Sequence, residues 1–209
     1  MNQPGPLLNR RQLIVGSSAT AAAVALGGCG GKDQPIVRPA GVPVGRFGKK
    51  STAEEVTAGI DLRGRTALIT GANSGLGYEA MRVLAMRGAH VLCAARTLEK
   101  AAAACAGIQG RTTPVAIELT DFPSIVVGTD AVRAMGMPID MLILNAGIMA
   151  LPELEQVNGL EKQFVTNHLG HFIVGNRLLP QVQAAAQGRV VVLTSSGYKW
   201  APESGIEFD

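Results

Sequence analysis

From Asp61 onward the chain alternates short apolar runs with stretches of helical spacing. Thr66-Ala67-Leu68-Ile69-Thr70 is apolar through its interior and stops at a glycine, which predicts a buried strand. Ala80, Val83, Leu84 and Met86 recur three and four residues apart and give Tyr78–Arg87 one apolar face, so a helix is expected there. His90–Ala94 predicts a second strand, Leu98–Cys105 an Ala-rich helix and Val115–Leu119 a third strand, with Pro123 opening the next helix. Met141–Leu144 predicts a fourth strand, Leu160–Leu179 a long helix and Val190–Leu193 a fifth strand. Strands that are apolar throughout, each followed by a crossover helix, imply a parallel sheet covered on both faces. The expected fold is therefore α/β, a doubly wound parallel sheet of Rossmann type. Completing such a sheet takes at least two more strand–helix units, roughly 60 residues, so it is expected to be incomplete on its C-terminal side.

The N-terminal segment follows another rule. Arg10-Arg11 precedes a small-residue apolar stretch ending at Leu26, too short to span a bilayer. The pair resembles a twin-arginine export signal. Leu26-Gly27-Gly28-Cys29 resembles a lipobox, which would make Cys29 a lipidated mature N-terminus and tether the protein to a membrane outside the cytoplasm. The alternative is a buried Ala-rich helix with a chance arginine pair. The expected organisation is a signal peptide over 1–28, a linker over 29–50 with no period of either kind, and a domain over 51–209. Arg46, Lys49 and Lys50 read as a solvated tether, with contact to anionic head groups as the other reading.

Composition narrows the function. A hydrophobic fraction of 47% supplies a core, and 4% aromatics with abundant Gly and Ala suit close helix-on-sheet packing. Arg10 and Arg11 supply two of the +3 formal charges, so no electrostatic case for nucleic acid survives. Cys29, Cys93 and Cys105 fit neither a disulfide framework nor a metal site. His168 and His171 have no carboxylate or cysteine near them in sequence, and they read as surface or packing histidines.

Between the first strand and its helix stands Thr70-Gly71-Ala72-Asn73-Ser74-Gly75-Leu76-Gly77. Glycines at a strand-to-helix turn let backbone amides approach a pyrophosphate, and the helix N-terminus adds about half a positive charge toward it. The spacing differs from the common Gly-x-Gly-x-x-Gly. At the end of the second strand Ala94-Ala95-Arg96 offers a guanidinium where an NAD site usually has a carboxylate, which favours the 2′-phosphate of NADP, with NAD the alternative.

These features resemble the cofactor site of the short-chain dehydrogenase/reductase superfamily, closest to its retinol-dehydrogenase-like branch. The resemblance continues in order through Asn145-Ala146-Gly147, Asn167 within Asn167-His168-Leu169-Gly170-His171-Phe172, Ser195, and Gly205-Ile206-Glu207-Phe208-Asp209. It implies hydride transfer between a nicotinamide dinucleotide and a small-molecule alcohol or carbonyl. Gly71, Asn73, Ser74, Gly75, Leu76, Gly77, Arg96, Glu118, Leu119, Asn145, Ala146 and Gly147 would bind the cofactor. Glu118-Leu119 stands where the family has Asp followed by Leu or Val, so its reach toward adenine is changed. Asn167 would support a proton relay, and Ser195, rather than its neighbour Ser196, would orient the substrate oxygen. The resemblance also implies a homo-oligomer.

The family's Tyr-x-x-x-Lys dyad is absent. Tyr198 and Lys199 are adjacent, hence about 100° apart on a helix, and Tyr78 has no lysine four residues on. The expected chain is a truncated, inactive part of an oxidoreductase. A non-catalytic dinucleotide-binding module or a remnant of a degraded gene are the other readings.

Overall fold

A computed structural model describes residues 45–48, 50–200 and 202. The signal segment 1–28, Cys29, most of the linker and Gly205–Asp209 lie outside the described residues, as do the side chains of Tyr198 and Trp200. All the elements below belong to the compact unit Phe47–Asp209. Among the described residues no helix is long and apolar enough to cross a membrane.

A short helix, α1 (Ala53–Val56), opens the described structure. The pattern of apolar positions misses it, but its capping box is written in the sequence as Thr52-x-x-Glu55. The alternation follows: β1 (Thr66–Thr70), α2 (Gly75–Met86), β2 (His90–Ala95), α3 (Leu98–Ala106), β3 (Thr112–Ala116), α4 (Phe122–Ala134) and β4 (Met141–Leu144). A two-stranded hairpin of β5 (Gln156–Val157) and β6 (Leu160–Glu161) comes next. Then α5 (Lys162–Phe164), a π-helical turn (Val165–Leu169) and α6 (Gly170–Gln183) lead to β7 (Arg189–Val192) and a short 3-10 turn (Ser196–Trp200).

The main sheet has the order β3-β2-β1-β4-β7, and every pair in it is parallel. The interiors of its inner strands are apolar because alternate side chains serve opposite faces, with Thr66, Thr70 and His90 the polar residues at strand ends. Leu68, Leu92 and Leu142 pack with Ile125 and Val132 of α4 and Val174 and Leu178 of α6. Ala67, Ile69, Val91 and Cys93 pack with Met81 and Ala85 of α2 and Ala101 and Ala104 of α3. Burial pushes the Cys93 thiol up to about 12, so it is an inert core group.

Three expectations are corrected. The third strand is Thr112–Ala116 rather than Val115–Leu119, and it contains Pro114. It is an edge strand, the position at which a residue without an N–H is tolerated. The long helix does not start at Leu160. Asn158 (φ 51°) and Gly159 (φ 77°) form a turn of the Asn-Gly hairpin kind, which holds Leu160 in β6. The helix starts only after Glu161, whose carboxylate accepts from the Gln163 and Phe164 amides, and it ends at Gln183 rather than Leu179. Nor is every strand covered on both faces: Val190, Val191 and Val192 of β7 are 46–56% exposed.

Asp140 closes the end of the sheet remote from the glycine loop. Its buried carboxylate accepts from Arg65 Nη1 (2.8 Å) and from the Thr66 amide (2.9 Å), joining the starts of β1 and β4. Asp140→Ala would strand that amide, and an unfolding free-energy loss of about 1–3 kcal/mol is expected in a urea titration. Asp140→Asn should recover much of it by keeping an acceptor for Thr66. Equal losses in the two variants would rule out the amide as the cause.

Candidate functional site

β1 leads to β2 on one side and is flanked by β4 on the other, so the connections part beyond its carboxyl end and leave a crevice. A cavity of about 400 Å³ opens there. Thr70, Gly71, Asn73, Ser74 and Leu76 line it from the β1–α2 connection, and Ala95 and Arg96 from the end of β2. Glu118 and Leu119 line it after β3, and Asn145, Ala146 and Gly147 after β4.

Gly71 (φ 66°) and Gly75 (φ 56°) take the left-handed backbone that the tight turn requires. Gly77 serves space instead. A Cβ there would overlap the Gly71 carbonyl oxygen and sit 2.6 Å from Asn145 Nδ2. Ser74 is the N-cap of α2, yet its side chain caps no amide, and no acidic residue follows in the first turn. By contrast, α1, α3, α4 and α5 are capped by Thr52, Thr97, Asp121 and Glu161. The first-turn amides of α2 are therefore left to an outside acceptor, with the positive end of the helix behind them. A diphosphate fits that chemistry.

Arg96 is exposed at the cavity edge and makes no hydrogen bond or ion pair with the described residues. Glu118 lines the cavity, but its Oε1 already accepts from the Thr120 amide (3.1 Å) and hydroxyl (2.9 Å). Asn145 is wedged against β1: its amide donates to Thr70 Oγ1 (2.9 Å) and its Nδ2 to the Thr70 carbonyl (3.0 Å).

The two expected catalytic residues lie apart from this lining. Asn167 sits in the π-helical turn and clamps Ile148, accepting from its amide (2.9 Å) and donating to its carbonyl (2.8 Å). It borders a second cavity of about 340 Å³ with Leu144, Phe172 and Val192. Ser195 is exposed, and its hydroxyl accepts from the Gly197 amide (3.0 Å).

His168 and His171 separate in role. His168 stacks on Phe164, with ring centroids 5.4 Å apart. His171 is a buried packing histidine that lines the second cavity and also reaches Thr70, a lining residue of the first. The available signal was its spacing of four from Asn167, which sets its ring over the Asn167 carbonyl. No group of three or more metal-ligating side chains occurs among the described residues.

Burial pushes the His90 and His171 imidazoles below their ordinary value of 6.5. Arg111 adds to the effect at His90, and the Asn167 carbonyl opposes it at His171. Just below that value the folded chain binds fewer protons than the unfolded chain, so stability rises with pH there. The thermal midpoint is expected to fall between about pH 7 and pH 5.5, then to level off below the folded values. A midpoint constant across that interval would contradict neutral buried rings.

Comparison with known proteins agrees with this geometry. The family model described as short chain dehydrogenase matches residues 65–203. "Short-chain dehydrogenase TIC 32 B, chloroplastic" of Brassica napus is 39% identical over 173 residues, covering 78% of this chain and 54% of its own. Human "Retinol dehydrogenase 13" is 36% identical over 137 residues, covering 63% of this chain and 41% of its own. The crystal structure of a "putative NAD(P) dependent gluconate 5-dehydrogenase" from Beutenbergia cavernae, with NADP bound at low occupancy, is 29% identical with a TM-score of 0.54. It covers 65% of this chain and 56% of that one. The chain thus spans about half the length of the relatives it matches. The family match takes in the glycine loop, Arg96, Asn145, Asn167 and Ser195 together, and the chain belongs to the short chain dehydrogenase family.

Proposed function

We infer that this chain is the dinucleotide-binding part of an NADP-dependent oxidoreductase that interconverts an alcohol and a carbonyl. The observation that carries the reading is the uncapped N-terminus of α2 behind the glycine loop, with a guanidinium at the end of the neighbouring strand that has no partner among the described residues. The first-turn amides receive the diphosphate, and Arg96 pairs with the 2′-phosphate. Ala146 and Gly147 leave room for the nicotinamide-side ribose. The bound nicotinamide supplies hydride transfer. Asn167 holds the loop beyond β4 through Ile148, and Ser195 stands ready to orient the substrate oxygen once a substrate is in place.

No Tyr-x-x-x-Lys occurs in the 209 residues, so by themselves they are expected not to turn a bound cofactor over. The second reading is a dinucleotide-binding module without chemistry. Calorimetric titration with NADP and NAD tests the shared claim, and a coupled alcohol-oxidation assay separates the two readings. Tighter binding of NADP than of NAD is expected. No binding of either would end both readings.

Arg10-Arg11 and Cys29 extend the proposal to export and lipid tethering outside the cytoplasm. Mass spectrometry of the protein from membrane fractions should find a diacylated Cys29 at the mature N-terminus. Unprocessed protein in the cytosol would overturn this.

A further inference from the structure

The ends of the loop Asn145–Ile148 are held by different groups, and both groups lead back to one imidazole. Thr70 Oγ1 accepts from the Asn145 amide (2.9 Å) and the Ala146 amide (3.0 Å). A hydroxyl has two acceptor sites and one proton, so both acceptor sites are used and the proton must point elsewhere. It points at His171 Nε2, 2.8 Å away. On the other side of the ring, Nδ1 lies 3.1 Å from the Asn167 carbonyl, which can only accept. Nδ1 therefore carries the hydrogen, and Nε2 is free to accept from Thr70. Every donor in the network then has an acceptor, and Thr70 and His171 are only 2% and 5% exposed.

Asn167 carries the connection onward, because its side chain clamps the Ile148 backbone in both directions (2.9 and 2.8 Å). The ring thus reaches Asn145 and Ala146 through Thr70, and Ile148 through Asn167. The placement is tight: a Cβ on Gly71 would lie 3.0 Å from both Cα and Cβ of Ala146. A small movement of Ala146 would therefore close or open the cradle beside the glycine loop.

We propose that His171 is a positioning residue of the dinucleotide site, a neutral Nδ1–H imidazole that orients the Thr70 hydroxyl and so sets the Asn145–Ile148 loop against the glycine loop. The effect on affinity rests on the dinucleotide reading above, whereas the effect on the loop does not.

The experiment uses the 209-residue chain and three readouts. Nitrogen-15 NMR of the imidazole is expected to show a protonated Nδ1 and an accepting Nε2. His171→Phe keeps a planar ring but removes both polar contacts. It is expected to speed hydrogen exchange at the Asn145 and Ala146 amides by about tenfold relative to amides of β1 and β2, and to weaken NADP binding by about tenfold. His171→Gln restores an acceptor near the Nε2 position and should recover most of both losses. Simple loss of packing would accelerate exchange across the sheet and would not be rescued by glutamine.

A hydrogen on Nε2, or unchanged protection of the two amides in His171→Phe, would overturn the proposal. If the unaltered chain binds no dinucleotide while the tautomer and exchange results hold, the dinucleotide reading fails and the positioning role stands.

Discussion

Gly77→Ala is expected to abolish measurable dinucleotide binding while leaving the chain folded, with stability lowered by about 1–3 kcal/mol. The new methyl would overlap the Gly71 carbonyl oxygen, lie 2.6 Å from Asn145 Nδ2 and 2.9 Å from the Gly71 carbonyl carbon. Two of these are backbone atoms of the turn itself and cannot rotate aside. Relief requires the start of α2 to retreat from Gly71, and that movement also spares the contact by which Asn145 Nδ2 holds the Thr70 carbonyl at 3.0 Å. The retreat displaces the first-turn amides from the position that suits a diphosphate. Gly175→Ala is the control of equal size: its Cβ would meet only Leu144 Cδ1, at 3.9 Å. In the middle of α6 that methyl should raise stability by roughly 0.5–1 kcal/mol and leave affinity intact. Calorimetric titration with NADP and urea unfolding of both variants provide the check. Unchanged affinity in Gly77→Ala would remove the glycine loop as the seat of the diphosphate.

Arg96→Ala is expected to weaken NADP binding by about 10- to 100-fold and to leave NAD binding nearly unchanged. The guanidinium stands exposed at the cavity edge with no partner among the described residues, so no ion pair has to break before it meets a 2′-phosphate. The same exposure makes the interaction sensitive to salt. The preference for NADP should shrink as ionic strength rises past about 0.15 M, where charges are screened over about 8 Å. Arg96→Asp should go further and favour NAD, because a carboxylate repels the phosphate and accepts from the ribose hydroxyls. Parallel titrations of the three proteins with both dinucleotides test this. Loss of both affinities together would mean that Arg96 supports the fold of the site rather than choosing between cofactors.

Some of this architecture was written locally. β1 and β4 have the bounds that their runs predict, because strands inside a sheet with helices on its faces need apolar interiors. The glycine loop was legible because a strand, a turn needing left-handed backbone and a helix start leave their marks within eight consecutive residues, Thr70–Gly77. Two local signals compete at the start of the long helix. Apolar spacing after Leu160 suggested continuous helix, while Asn158-Gly159 marked a hairpin turn that the chain obeys. Pro114 argued against a strand only for a strand inside the sheet, and β3 lies at its edge.

The sequence by itself determined the alternation of strand and helix, the glycine loop and the candidate cofactor residues, since each depends on neighbours along the chain. Only the tertiary structure decided which residues share a proton. Thr70 and His171 stand 101 residues apart, and Thr70 and Asn145 are 75 apart. A buried hydroxyl must satisfy its donor and both acceptors, but nothing in the local pattern names the partners. Folding β1, β4 and the helix around Asn167 into one crevice does.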